Sequence, residues 1–281
     1  MDKLLLVDGS NLLFQMFYGM PARIVNREGR TVHGTVGFVG ALLKMLRMVN
    51  PTHTAVFFDG ESHNPRRDLD PNYKADREDY SLLPEEETPF SQLPDICAAL
   101  DYLKIGRAET VDCETDDWMA AYALSQGEDT ALVLASMDSD YFQLVSSRVQ
   151  ILRYRGKNSV LLGPDEILEK TGTQPCNYAF FKALTGDTSD NLRGAPGVGP
   201  KTAAALVARF GGLEELLSRG EEIEKPALRA AVLENAERLR RNYSLINLTG
   251  DVPKPLEMPQ MRYHDAGMTS TEVLRAIGVL P

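Results

Sequence analysis

A mostly parallel α/β sheet flanked by helices is the fold class this chain predicts, and three apolar runs predict it. Leu4-Leu5-Leu6-Val7, Ala55-Val56-Phe57-Phe58 and Ala131-Leu132-Val133-Leu134-Ala135 are continuous rather than alternating, as strands covered on both faces are. Acids follow each run: Asp8-Gly9, Asp59-Gly60 and Asp138-Ser139-Asp140. Open α/β sheets place their sites beyond the carboxyl ends of their strands, so acids recurring there point to one shared rim.

The 281 residues suffice for one large or two ordinary domains, and 43% hydrophobic with 25% charged residues is ordinary for a soluble globular protein. No apolar run approaches about 18 residues, so no membrane span is expected. Asp8 cuts the first run short and a single lysine precedes it, which argues against a signal peptide. Cys97, Cys113 and Cys176 are odd in number and lack Cys-x-x-Cys spacing, as expected of reduced thiols in a cytoplasmic protein and not of a zinc site. A net charge of −10 argues against nucleic acid unless many acids are cation ligands and the basic groups gather on one face.

In chain order, the first strand ends at Asp8, and His33 to Leu46 reads as a helix interrupted by Pro51. The second strand ends at Asp59. Residues 61–94 carry Asn64-Pro65-Arg66-Arg67, Tyr73-Lys74-Ala75-Asp76-Arg77 and the acidic Glu85-Glu86-Glu87, and read as a partly helical segment over one rim. Its Arg66, Arg67, Lys74 and Arg77 could grip phosphates, and Tyr73 could stack on a base. Asp95 to Leu103 reads as a helix. Glu114-Thr115-Asp116-Asp117 then opens an apolar helix, where some negative charge suits the helix dipole but a fan of acids could also ligate ions. After the third strand, Val149 to Leu162 reads as a hairpin around Gly156-Lys157-Asn158. Helices are expected from Pro164 and over Tyr178 to Leu184.

Gly186-Asp187-Thr188-Ser189-Asp190 places two acids at i and i+3, neighbours if the segment is a helical turn. Gly197-Val198-Gly199-Pro200-Lys201-Thr202 then exposes backbone N–H groups at a helix start, which attracts phosphate. Thr202 to Phe210 is amphipathic and stops at Gly211-Gly212. Leu213 to Leu217 starts another helix, and Lys225 to Leu248 reads as one helix. Residues 249–281 hold several prolines and little periodicity.

Asp8, Asp59, Glu114, Asp116, Asp117, Asp138, Asp140, Asp187 and Asp190 all sit where a strand ends or a helix begins. If they converge, each like-charged pair about 4 Å apart costs roughly 4 kcal/mol at an effective dielectric of 20. Several such pairs would consume a stability of roughly 5–15 kcal/mol, so cations must be present or some acids stay protonated. An oxygen-only set favours Mg²⁺, with Mn²⁺ able to substitute, over zinc. The acids exceed the needs of one octahedral ion, so two ions are expected, about 3.5–4 Å apart as in two-metal displacement at phosphorus.

These motifs, Leu6-Val7-Asp8-Gly9-Ser10-Asn11, Phe58-Asp59-Gly60, Tyr73-Lys74-Ala75-Asp76-Arg77, Glu114-Thr115-Asp116-Asp117, Asp138-Ser139-Asp140 and Gly186-Asp187-Thr188-Ser189-Asp190-Asn191, come in the order seen in bacterial and phage 5′-nucleases. Over roughly residues 3–250 the chain resembles the 5′–3′ exonuclease domain of DNA polymerase I, here expected as a stand-alone protein, within the wider flap-endonuclease superfamily. The resemblance implies a PIN-like core over residues 1–170, with a helical arch in 61–94. It implies a helix–three-turn–helix DNA-binding region over 171–250 that completes the metal site, and a C-terminal tail over 251–281. It further implies that Lys74 and Arg77 touch the scissile phosphate. Gly197, Val198, Gly199, Lys201 and Thr202 would hold duplex backbone with a potassium ion. Asp8, Asp59, Glu114 and Asp116 would serve mainly a first ion, and Asp117, Asp138, Asp140, Asp187 and Asp190 mainly a second.

The expected function is a divalent-metal-dependent, structure-selective 5′-nuclease acting at 5′ flaps, nicks or RNA primers in replication and repair. Its partner would be branched or nicked duplex DNA with a 5′ single strand, or an RNA–DNA hybrid, bound by a monomer without a membrane role. The same turn and basic segment would also serve a branched-DNA binding protein with little or no cleavage, and the acidic core a ribonuclease.

Overall fold

The computed structural model describes residues 2–60, 64–125 and 129–281. The strand β1 (Asp2–Asp8) leads into α1 (Gly9–Gly19), α2 (His33–Val49), β2 (His53–Phe58), α3 (Pro65–Leu69), α4 (Leu93–Tyr102) and β3 (Gly106–Glu109). Then come α5 (Thr115–Ser125), β4 (Thr130–Ala135), β5 (Val149–Arg153), β6 (Val160–Leu162), α6 (Pro164–Thr171) and α7 (Tyr178–Thr185). A two-stranded ribbon, β7 (Gly186–Asp187) and β8 (Leu192–Arg193), precedes α8 (Pro200–Phe210), α9 (Leu213–Ser218), α10 (Pro226–Leu233), α11 (Ala236–Ile246) and α12 (Ser270–Ala276).

The main sheet has the order β3-β2-β1-β4-β5-β6. Its first five members in that order are parallel and only β6 runs against its neighbour. The chain builds outward from β1 to β2 and β3, then crosses back to lay β4 on the other side of β1. That reversal opens a crevice at the carboxyl ends of β1 and β4, where sheets of this kind bind ligands.

Both faces of β1 are packed, which is why its sequence is apolar without alternation. Leu4 and Leu6 join Phe57, Tyr122 and Leu134 on one side. Leu5 and Val7 join Val56, Phe58, Leu42 and Ile96 on the other. Leu4, Leu5 and Leu6 are fully buried, each contributing roughly 1.5–3 kcal/mol of hydrophobic stabilisation. Gly9 is needed directly after Asp8, because a Cβ there would lie 2.6 Å from the Phe58 ring and 2.7 Å from the Phe57 carbonyl oxygen.

One expectation is corrected. The helix expected over Lys225 to Leu248 is two, α10 and α11, broken at Glu234-Asn235. Asn235 leaves the helical region and its Nδ2 donates to the Ala231 carbonyl at 2.8 Å, a side-chain bond that competes with the backbone ladder. The tail beyond 250, which the sequence leaves undecided, packs on the body. Tyr263 N–H donates to the Thr52 carbonyl at 2.9 Å, and α12 seats Val273 and Leu274, with Val279 just after it, in the core that also holds α2 and α4. Thr269 and Glu272 cap α12 reciprocally. The segment 61–94 is partly helical, as read: its described part holds α3, single 3₁₀ turns at 80–82, 85–87 and 89–92, and the first two residues of α4. Residues 61–63, the start of that segment, lie outside the described residues. Among the described residues no helix is long and apolar enough to cross a membrane.

Candidate metal centre and nucleic-acid interface

Asp8 leaves β1 and caps α1, its Oδ1 accepting from Asn11 N–H at 2.9 Å. Its Oδ2 accepts from Ser136 Oγ at 3.0 Å and from the Tyr141 hydroxyl at 3.1 Å. Burial first, then the neighbouring Asp59 and Asp138, pushes its carboxyl up to about 7. Asp59 is exposed just after β2, and its Oδ1 accepts from Thr115 N–H at 2.8 Å, which fixes the start of α5 against the rim. Asp138 is exposed beyond β4 and accepts the Asp140 N–H at 2.9 Å. Among the described residues, no ion pair reaches Asp8, Asp59 or Asp138.

The other acids are met by the chain's own cations. Arg66, on α3, is bound to Glu114, to Asp116 Oδ1 at 3.0 Å and to Asp117 Oδ1 at 2.7 Å. Glu114 is also bound by Lys74, by Asn64 Nδ2 at 3.0 Å and by the Tyr73 hydroxyl at 2.9 Å. Burial alone would raise Glu114, but the Lys74 ammonium and the Arg66 guanidinium outweigh it and hold the carboxyl at about 2. Asp116 goes the other way. Its burial outweighs the pull of Arg66, and Glu114 and Asp117 add to the rise.

Asp140, Asp187 and Asp190 each offer a carboxylate oxygen, and these oxygens lie within 4.8 Å of one another. Asp187 caps a 3₁₀ turn at Thr188–Asp190, so the i, i+3 pair does meet, in a tighter turn than an α-helix. Gly186 enters this turn at φ +80°, with a Cβ position only 2.5 Å from the Leu192 carbonyl oxygen. Lys182, in the last turn of α7, is bonded to both Asp140 and Asp187. Burial raises Asp140 to about 7 even with Lys182 beside it. Burial also opposes ionisation of Asp187, but there Lys182 prevails and the carboxyl is lowered. For Asp190 burial prevails over Lys74 and the carboxyl is raised.

The clusters share one rim. Lys74 lies in the fields of Glu114, Asp116 and Asp190, and Asp138 in those felt by both Asp8 and Asp190. Lys74 has φ +55°, unusual for a non-glycine. Its N–H donates to the Asp190 carbonyl at 3.1 Å. Arg77 is bound to Asp190 Oδ1 at 3.0 Å, with its side chain 55% exposed. Arg67 is exposed.

Two expected nucleic-acid contacts need correction. The Tyr73 ring is 2% exposed, so it offers no face to a base; its hydroxyl serves Glu114 instead. Arg66 is committed to three acids. At the turn before α8, Gly197 has φ +74° and the Val198 side chain is buried, so only backbone is presented there. Gly199 and Pro200 start α8, and the N–H groups of Lys201 and Thr202 precede the first intrahelical bond, Ala203 N–H to Gly199 carbonyl at 2.9 Å. Lys201 is exposed and Thr202 half-buried.

Sequence reasoning missed Lys182, Ser136, Tyr141 and Asn64. Lys182 left a signal: a lone lysine inside Phe180-Phe181-Lys182-Ala183-Leu184, where a buried charge requires a partner.

Oxygen-only donors gathered at the carboxyl rim of a parallel sheet, in a chain that also carries a glycine-led helix start, define a class of α/β domain suited to hard divalent cations and phosphate. Residues 3–172 match the 5′–3′ exonuclease N-terminal resolvase-like domain, and residues 173–269 the 5′–3′ exonuclease C-terminal SAM fold. The chain belongs to the 5′–3′ exonuclease family. DNA polymerase I of Rhizobium leguminosarum is 37% identical over 266 residues, which are 92% of this chain and 25% of that protein. Thermostable DNA polymerase I of Thermus aquaticus is 33% identical over 264 residues, 94% of this chain and 30% of that protein. The chain thus spans about a quarter of the length of the first of these and under a third of the second. The bacteriophage T5 D15 protein co-crystallised with metal ions shares the fold, with a TM-score of 0.71 at 23% identity over 88% of this chain and 89% of that one. Human GEN1 in complex with Holliday junction DNA gives 0.62 at 15% identity over 98% of this chain and 66% of that one.

Proposed function

We propose that this chain is a divalent-metal-dependent, structure-selective 5′-nuclease that hydrolyses phosphodiesters at 5′ flaps, nicks or RNA primers during replication and repair. The observation that carries this is the meeting, at one rim, of acids from the ends of β1, β2 and β4, the start of α5 and the turn after β7. The residues fit hard cations: every donor is oxygen, and Asp8, Asp59 and Asp138 have no cationic partner among the described residues.

Asp8, Asp59, Glu114 and Asp116 would hold a first Mg²⁺, and Asp117, Asp138, Asp140, Asp187 and Asp190 a second, with Mn²⁺ able to replace either. When bound, such ions supply Lewis-acid stabilisation of the charge that grows on phosphate oxygens and make water a better nucleophile. Arg77, half-exposed at the rim, and Lys74 beside it orient the scissile phosphate. The backbone N–H groups at Lys201 and Thr202, with the exposed Lys201 ammonium, hold the duplex backbone, and a potassium ion would sit at the carbonyls of the Gly197–Gly199 turn. Arg67 adds a phosphate contact on the segment after β2. We divide the chain accordingly into a core over 1–170, a duplex-binding region over 171–250 and a tail over 251–281. The protein acts as a monomer on branched or nicked DNA, RNA–DNA hybrids included. DNA complexes of T5 D15 and GEN1 in this fold support the choice of DNA.

The test is a labelled 5′-flap duplex incubated with Mg²⁺ or Mn²⁺. Short 5′ products support the assignment, and intact substrate in both metals overturns it.

A further inference from the structure

Lys182 is the cation that the acid cluster does not explain. It lies on α7, whose residues Tyr178 to Leu184 are all buried, and is itself only 6% exposed. A lysine there forfeits its water and stays only if its partners replace it. Its partners are Asp140 and Asp187, two of the three residues whose oxygens converge within 4.8 Å. Asp140 comes from the loop after β4, and Asp187 from the ribbon that follows α7. The ammonium therefore ties the sheet rim to the helical region at the point where the carboxylates repel one another. The carbonyl end of α7 also favours a positive charge there.

We propose that Lys182 is a positioning residue of the Asp140–Asp187–Asp190 site: it holds Asp140 and Asp187 converged and, as a fixed positive charge, weakens that site's affinity for a divalent cation. The inference rests on those acids being a cation site. Two effects follow from one charge. Without it the carboxylates repel, so the metal-free protein loses stability. Without it an incoming divalent ion also meets no like charge, so it binds more tightly. A lysine with a merely structural role would produce the first effect and not the second.

The experiment measures Mn²⁺ binding by titration calorimetry, and melting in chelator, for the wild-type chain and the Lys182→Met, Lys182→Arg and Lys182→Met/Asp187→Asn variants. For Lys182→Met we expect melting several degrees lower without metal and one Mn²⁺ site about tenfold tighter than in the wild type. Adding Asp187→Asn should abolish the tightened site, which locates it. Lys182→Arg keeps the charge and should keep the wild-type affinity; if Lys182→Met does not fold in chelator, tightening by Lys182→Arg would overturn the proposal. Equal or weaker Mn²⁺ binding by folded Lys182→Met overturns the role of Lys182 alone. Absence of Mn²⁺ binding in every variant and in the wild type overturns the cation site and this proposal with it.

Discussion

Asn191 Nδ2 donates to the Asn72 carbonyl at 3.0 Å, pinning the basic segment after β2 to the acidic turn that holds Asp187 and Asp190. One neighbouring contact repeats the link, and a second ties the same segment to α11. Lys74 N–H reaches the Asp190 carbonyl at 3.1 Å, and Arg241 Nε reaches Asp70 Oδ2 at 3.1 Å. The residues proposed to orient phosphate are thus fixed relative to the residues proposed to hold metal.

Asn191 also caps its turn at φ 58°, a left-handed conformation that asparagine tolerates and alanine does not. Asn191→Gly keeps the backbone and removes the side-chain bond, so we expect a loss of about 1 kcal/mol. Asn191→Ala adds strain of about 1–2 kcal/mol. Both should lower cleavage, because both free the Lys74 segment from the acids. Urea denaturation with single-turnover kinetics checks this; equal stability in the two variants would contradict the role assigned to the backbone.

The Tyr122 hydroxyl donates to the Leu256 carbonyl at 2.5 Å and accepts from the Leu256 N–H at 3.1 Å, fastening the tail to α5. Tyr122→Phe leaves both Leu256 groups unpaired and should cost about 1–3 kcal/mol. Burial pushes this phenol up to about 12, with the Leu256 bond partly opposing. The folded form therefore keeps a proton that the unfolded chain releases near pH 10. The stabilisation is complete below pH 10 and is lost as pH rises toward 12. Denaturation from pH 9 to 11.5 should show the gap between the wild type and Tyr122→Phe closing; a constant gap would refute this assignment of the phenol.

What the sequence made legible, and what it hid, follows from whether the cause is local. The runs at β1, β2 and β4 were legible because burial on both faces leaves no polar alternation. The strand β3 was missed because Gly106-Arg107-Ala108-Glu109 is short, polar and half-exposed at the sheet edge. The helix α12 carries a legible signal in Thr269-Ser270-Thr271-Glu272, set among prolines that break the periodicity around it. The acids at strand ends were visible as a pattern. The charge balance was not, because Arg66, Lys74 and Lys182 pair with those acids only through space. Tyr73 is hidden for the same reason, since nothing in its sequence neighbours announces a hydrogen bond to Glu114.

Contacts with phosphate predict binding that weakens linearly in log salt. Lys201 is exposed at the start of α8, without an ion-pair partner among the described residues to release. Lys201→Ala should weaken flap binding for all sequences alike and lower the salt slope by about 1. Anisotropy titrations at several potassium chloride concentrations read both quantities. An unchanged slope would remove Lys201 from the duplex interface.

Asp138 and Asp187 test the chemistry most directly, because they differ in their surroundings. Asp138 is exposed and has no cationic partner among the described residues, so Asp138→Asn removes a proposed cation ligand and leaves the fold's charge pairs intact. Asp187→Asn also strips Lys182 of one of its two carboxylates, and Asp140 then holds that ammonium alone. Both should lower single-turnover cleavage on the order of 10²-fold or more, with flap binding largely kept, since the duplex contacts proposed above are at α8 and on the basic segment. Only Asp187→Asn should also lower the melting temperature in chelator. If Asp138→Asn cleaved at the wild-type rate, the rim beyond β4 would not be where the phosphodiester is broken. If both variants melted alike, the pairing of Lys182 with Asp187 would contribute nothing to the stability of the metal-free protein.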